Sequence, residues 1–299
     1  MEKSLDKLLL EEEVSLKRYS TFQIGGRARF FLIAKSVESI QEGILWARSK
    51  GIPFFILGKG SNCLFSDKGY EGLVILNKVD FLEQQGPSFK VGAGHSFSHL
   101  GTISSKMGYS GLEFAAGIPA SVGGAVFMNA GANGAETFDS LQSVDFVDES
   151  GHLVHFEKKD LQFSYRFSSF QKLKGSVVSA TFLLTESRDS RKKQLEIISN
   201  RKDSQPLKDP SAGCIFKNPS LKSAGFLIED TGLKGKCFGG AKVSTLHANF
   251  IINKGEATAE DVKALAKHVQ EEVKQKHNIQ LQSEVYFINE NGERMKVCE

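Results

Sequence analysis

The chain has 299 residues, 38 basic against 35 acidic side chains, 40% hydrophobic and 24% charged residues. That length carries core enough for two domains or one large one, with the make-up of an ordinary soluble globular protein. A net charge of +3 suits a phosphorylated ligand but is too small to argue for nucleic acid, and no apolar run approaches the ~20 residues of a membrane span.

Cys63, Cys214, Cys237 and Cys298 lie 151, 23 and 61 positions apart with no C-x-x-C pair. They form neither a disulfide framework nor a zinc cage. The opening MEKSLDKLLLEEEV holds only three consecutive leucines before an acidic run and does not read as a leader. The expectation is a reduced, cytoplasmic, soluble protein whose cysteines are core residues.

In chain order, Ala28 to Ala34 reads as a strand. A helix follows from Ser36, its N-cap, with Val37, Ile40, Ile44 and Ala47 at helical spacing and Gly51 as its stop. Ile52 to Leu57 is a buried-strand candidate ending in the turn Gly58-Lys59-Gly60-Ser61-Asn62, which completes a β-α-β unit. Phe89-Lys90-Val91 leads into Gly92-Ala93-Gly94 and a helix from about Ser96 to Met107, with Leu100, Ile103 and Met107 on one face. Segments near 141–148, 152–157 and 176–184 read as antiparallel strands. Arg188 to Lys202 is a charged helix with six basic residues, and the polar loop Asp203 to Ser211 follows. Thr258 caps a helix whose stripe is Val262, Leu265, Ala266, Val269 and Val273, and Ile279 to Ile288 reads as the last strand. The fold class is α+β in two parts, split near residue 200.

The turn at Gly58 is neither G-x-G-x-x-G nor a P-loop, so it reads as an anion cradle or as a plain tight turn. Gly117 to Gly134 holds five glycines and four alanines in 18 residues. Either a flat or charged ligand presses on that backbone, or small residues permit tight helix–strand packing. With Gly92-Ala93-Gly94, three such places in one half-chain point to a dinucleotide site. Arg166, amid aromatics in FSYRFSSF, faces an anion or water. Cys214 is a nucleophile, an acid or a small buried hydrophobe. Glu284 shares a strand face with Gln282 and Tyr286, opposite Leu281, Val285 and Phe287. His95 and His99, and His152 and His155, have metal-like spacing but no third ligand nearby, so no metal is expected.

Taken together, LGKGSN, VGAG, GLEFAAGIPASVGGAVFMNAGA, FSYR, QPLKDPSAGCIFKNP, AGFLIEDTGLKG, GGAKVSTLHANFIIN and SEVYFI, in that order, resemble the UDP-N-acetylenolpyruvoylglucosamine reductases of peptidoglycan synthesis. The resemblance runs over nearly the whole chain. It implies an FAD-binding fold of the vanillyl-alcohol oxidase type over residues 1–200, in subdomains of about 1–78 and 79–200. A smaller α+β substrate-binding domain over 201–299 follows. Non-covalent FAD is implied at Thr21, Gly25, Gly26, Gly58, Gly60, Ser61, Asn62, Gly117, Ile118, Pro119, Ser121, Gly123 and Gly124, with NADPH as hydride donor. The UDP-sugar substrate is implied at Tyr165, Arg201, Gln205, Lys217 and Asn218.

The implied reaction builds negative charge next to the substrate's carboxylate. Arg166 then matches the cation that stabilises it and Glu284 the assisting carboxyl, which donates a hydrogen bond only when burial keeps it protonated. Cys214 stands where many relatives carry serine and matches the proton donor, a thiol with pKa about 8.5 being the stronger acid. Two features depart from the pattern. Tyr286 stands where relatives of the shorter subtype often have arginine. Only 34 residues separate Arg166 from Arg201, too few for the tyrosine-bearing loop of the longer subtype. The implied state is a monomer with no nucleic-acid or membrane partner. The competing readings are another flavin oxidoreductase of this fold acting on an alcohol or sugar, with His95 as a point of covalent attachment, and a silent nucleotide-binding scaffold.

Overall fold

A computed structural model describes residues 8–298. Residues 1–7, half of the stretch read above as no leader, lie outside the described residues. The chain packs as two compact units. One holds residues 8–11, Phe31–Lys59 and Leu73–Arg201; the other holds Glu12–Phe30, Gly60–Gly72 and residues 202–298. Two N-terminal stretches thus pack with the C-terminal hundred residues, which no local signal announces.

The first unit is built on a five-stranded antiparallel sheet. Its order is Leu153–Glu157, Leu141–Asp148, Gly175–Leu183, Ser88–Gly92, Leu82–Gln85. Its core is aromatic: Phe89, Phe97, Phe114, Phe146, Phe170 and Phe182 are all buried. The helix Val122–Met128 packs on the central strand Gly175–Leu183. The predicted helix over 36–51 spans Val37–Ser49, with the Ser36 hydroxyl accepting from Ser39 N. Beyond it Phe54–Leu57 runs parallel to residues 73–76, a pairing whose connection, residues 58–72, contains no helix.

In the second unit Tyr286–Ile288 lies between Cys63–Phe65, parallel to it, and Arg294–Lys296, antiparallel. The helix Ala259–His277 begins with a reciprocal Thr258/Asp261 capping box. It buries Val262, Leu265, Ala266, Val269 and Val273 in an apolar core with Leu64, Ile215, Leu227 and Phe287.

Four expectations change. The helix at 96–107 is Phe97–Lys106, and it buries Phe97, Leu100, Gly101, Ser104 and Ser105 while Met107 is 46% exposed. Small residues let that face approach its neighbours, so the apolar spacing misread the orientation. The charged helix runs Ser190–Ser204 and takes the first residues assigned to the loop. Of Ile279 to Ile288 only Tyr286–Ile288 forms a ladder, the rest contributing one bridge, Phe216 to Ser283. Cys237 is exposed rather than core. The strands Glu11–Ser15 and Leu82–Gln85 escape a hydrophobicity reading because EEEVS and LEQQ carry almost no apolar side chain.

Candidate active site

In the first unit the segment from Gly117 is seated on the Gly92–Ser96 turn. Val122 N donates to His95 O, Gly123 N to Ala93 O, and Phe97 N to Ala120 O, at 2.9, 2.9 and 3.0 Å. Ser121 caps the following helix by accepting from Gly124 N at 3.2 Å. Gly117 N donates to the Ser98 hydroxyl at 2.7 Å, while Ile118 is half-buried and Pro119 exposed.

The glycines answer the question left open by the sequence. A Cβ added at Gly25, Gly26, Gly58, Gly60 or Gly123 would fall 2.0–2.9 Å from the protein's own atoms. At Gly25, Gly26, Gly60 and Gly123 internal packing forbids a side chain, whereas at Gly58 the close atom is the Ser121 hydroxyl, which can turn away. Gly117 and Gly124 are looser, with the Arg201 Nε and the Ser121 hydroxyl at 3.1 and 3.3 Å. Arg201, placed by its helix, therefore lies over Gly117.

Tyr165 and Arg166 form the turn between the short strands Phe163–Ser164 and Phe167–Ser168. Arg166 has φ +58°, a conformation that costs a branched or long side chain energy and must be held by its surroundings. Its carbonyl accepts from Gln171 Nε2 at 3.1 Å, its guanidinium donates to Gly131 O at 3.0 Å, and it lies 4.8 Å from the Tyr165 ring centroid. His95 is engaged at both ring nitrogens, Nδ1 with Asp80 at 2.6 Å and Nε2 with His99 at 3.3 Å. That arrangement disfavours covalent attachment there. Among the described residues no group of three or more His, Cys, Asp or Glu side chains is arranged to hold a metal.

In the second unit the backbone around Cys214 is stitched between two partners. Cys214 bridges Phe250 and Phe216 bridges Ser283. Ile215 N donates to Asn249 O at 2.8 Å and Glu284 N to Ile215 O at 2.7 Å, while Lys217 N donates to Gln282 O at 2.8 Å. The buried Asn249 side chain closes the ladder, accepting from Phe216 N at 3.0 Å and donating to Phe216 O at 2.8 Å. Cys214 and Glu284, seventy residues apart, thus sit on adjoining hydrogen-bonded segments. Glu284 and Tyr286 are half-buried, while Leu281, Val285 and Phe287 are buried, as their alternation predicts.

The turn predicted to bind phosphate adjoins the same segment: Asn62 Nδ2 donates to Glu284 O at 3.3 Å and Tyr286 N to Asn62 O at 3.2 Å. Thr21 N and its hydroxyl both donate to Gly60 O, at 3.1 and 3.3 Å. The Gln205 Oε1 atom is buried without a hydrogen-bond partner among the described residues, and the Asn218 Oδ1 accepts from Ala224 N at 3.0 Å. Burial pushes the Cys63 thiol up to about 12, which keeps it protonated and inert. Sequence reasoning missed Asn249, whose only signal is a polar residue between apolar ones in HANFIIN.

The comparisons with known proteins agree on one family. Residues 205–288 match the family model described as UDP-N-acetylenolpyruvoylglucosamine reductase, C-terminal domain, and residues 28–157 match an FAD binding domain. The chain is 54% identical to the UDP-N-acetylenolpyruvoylglucosamine reductase of Protochlamydia amoebophila over 91% of this chain and 92% of that one. With the Chlamydia felis reductase the identity is 46% over 92% and 93%. The crystal structure of the Thermus caldophilus reductase covers 94% of this chain and 98% of its own, with a TM-score of 0.80 and 35% identity. The fold is thus α+β with an FAD-binding part, and the chain belongs to the UDP-N-acetylenolpyruvoylglucosamine reductase family.

Proposed function

We propose that the chain reduces the enolpyruvyl ether of UDP-N-acetylglucosamine enolpyruvate to UDP-N-acetylmuramate, a step of peptidoglycan precursor synthesis, with FAD as resident cofactor and NADPH as reductant. Family membership over nine-tenths of the chain supports the reaction. The observation that carries the site assignment is the ladder that sets Cys214 beside the Glu284 segment. We read residues 1–200 as the flavin-binding part and 201–299 as the substrate-binding part, in keeping with where the two family models fall.

The residues present fit FAD by their donor chemistry. The turn from Gly58 to Asn62 offers a serine hydroxyl, an amide and the Lys59 ammonium, and Ser121 adds a hydroxyl at the second segment. Bound FAD supplies hydride transfer, and NADPH renews it.

On this reading the protein's own groups do the rest. Arg166, held by Gly131 and Gln171, places a fixed cation where charge grows on the substrate's carboxylate, and such a preorganised donor contributes about 3–4 kcal/mol. Glu284 assists it by hydrogen bonding. The Cys214 Sγ–H gives its proton to the carbon next to that carboxylate. Tyr165, Arg201, Gln205, Lys217 and Asn218 hold the UDP-sugar. A buried, unsatisfied acceptor such as Gln205 Oε1 costs stability until a ligand N–H or O–H meets it. We further read the protein as a monomer of the reduced cytoplasm, where a working thiol stays unoxidised. No helix among the described residues is long and apolar enough to cross a membrane.

The test is a stopped-flow comparison of wild type with Cys214→Ala. NADPH bleaches the flavin in both, and only wild type is reoxidised by the enolpyruvyl substrate. Near-normal turnover in the variant overturns the proton-donor assignment, and NADPH consumption independent of that substrate overturns the function.

A further inference from the structure

Glu284 sits in a stretch, residues 281–285, that forms no regular ladder, yet each of its carbonyls accepts a hydrogen bond. Gln270 Nε2 donates to Leu281 O at 2.8 Å, Lys217 N to Gln282 O at 2.8 Å, and Lys296 Nζ to Ser283 O at 3.1 Å. Asn62 Nδ2 donates to Glu284 O at 3.3 Å, and the buried Ser283 hydroxyl to Val285 O at 2.8 Å. A helix, a loop, a turn and the last strand thus send donors to one short segment.

The donor from the last strand is the least expected. Lys296 lies beyond residue 288, where the match to the C-terminal family model ends, and it stands directly opposite Tyr286 in the ladder. Opposed residues point to the same side of a sheet, and so do residues two apart on one strand. Lys296 therefore lies on the face that Tyr286 and Glu284 share. Its neighbours Arg294 and Met295 are exposed, and a lysine stem there could carry its head into water. Instead Lys296 is half-buried, its ammonium 4.1 Å from the Tyr286 ring centroid and bonded to the carbonyl of the fully buried Ser283. Without that ammonium a buried carbonyl loses its donor, and the backbone has to shift to find another.

We propose that Lys296 is a positioning residue for the reaction: by clamping Ser283 O and resting on Tyr286, it fixes the backbone that aims the Glu284 carboxyl. The inference rests on the role proposed for Glu284. A group that assists at the reacting carbon has to be held within about 0.5 Å, and small misplacements cost rate.

The experiment compares FAD-loaded wild type, Lys296→Met, Lys296→Arg, Glu284→Gln and the double variant of Lys296→Met with Glu284→Gln. Steady-state kinetics, stopped flow of each half-reaction and urea midpoints are measured. For Lys296→Met we expect kcat about ten- to a hundredfold lower with KM changed less than about twofold. NADPH should bleach its flavin at the wild-type rate, while reoxidation by the enolpyruvyl substrate slows, and Lys296→Arg should recover most of the loss. In the Glu284→Gln background, Lys296→Met should cost less than about threefold more, because the two residues act as a unit.

A lowered urea midpoint with unchanged kcat makes Lys296 a purely structural residue and overturns the inference. Equal slowing of both half-reactions, or a fully additive loss in the double variant, overturns it too. If Lys296→Met does not fold, Lys296→Gln, which keeps a neutral donor, takes its place under the same outcomes. Wild-type turnover in Glu284→Gln overturns the role of Glu284 and this inference with it. A slow Glu284→Gln beside a normal Lys296→Met overturns this inference alone.

Discussion

Two regions of this protein hold their backbones in place by different physics. At the glycine turns the constraint is steric: Gly60 has φ +62°, and a side chain there would begin 2.0 Å from the Tyr19 carbonyl oxygen. Around Cys214 the constraint is polar, a ladder completed by one buried asparagine that satisfies both backbone groups of Phe216. Steric constraints act by exclusion and leave a mark on residue identity. Polar stitching acts by attraction between distant segments and leaves almost none.

Substitutions should separate the two. The largest effect is expected at Gly60→Ala, where the new methyl meets backbone that cannot yield and the left-handed conformation adds strain. A loss above about 3 kcal/mol in urea unfolding is expected. Gly134, also at positive φ but with nothing within 4 Å, is the control, and its alanine variant should lose only about 1 kcal/mol. Equal losses at the two sites would remove the steric argument.

Asn249→Leu should rank next, at about 2–4 kcal/mol, because it keeps the volume but strands a buried N–H and C=O. It should also lower kcat by shifting the Cys214 segment, whereas Gly134→Ala should leave kcat alone. A stable Asn249→Leu protein with wild-type kcat would show that the asparagine does not hold the site.

The smallest effect concerns the sheet of the first unit. Burial pushes the Asp145 carboxyl up, but hydrogen bonds from His155, Ser179 and Lys90, with the Lys90 charge, more than reverse this and hold it below its ordinary value. A carboxyl with a lowered folded pKa stabilises above its unfolded pKa of about 4 and loses that contribution as the pH falls through its folded value. Asp145→Asn should therefore cost under about 1 kcal/mol at pH 7 and flatten the loss of stability below about pH 4. An unchanged acid limb in urea titrations at several pH values would contradict the assignment.

Much of the architecture was legible before any coordinates. The caps at Ser36 and Thr258, the buried stripe of the helix Ala259–His277 and the alternation from Leu281 to Phe287 all appear as read. Each depends on a few neighbouring residues, and the chemistry that ends a helix or sides a strand is local. Met107 failed the same test because spacing locates an apolar face but not the element it packs against.

The sequence by itself therefore determined the family, through ordered segments whose residue types are tied to one site, and where the glycine-rich turns fall. Tertiary structure decided what fills the space beside those glycines, that residues 12–30 and 60–72 pack with the C-terminal unit, and that Asn249 joins Cys214 to the Glu284 segment. The reason is chain topology. A contact between residues tens of positions apart depends on the path of everything between them, and neither partner's identity encodes that path.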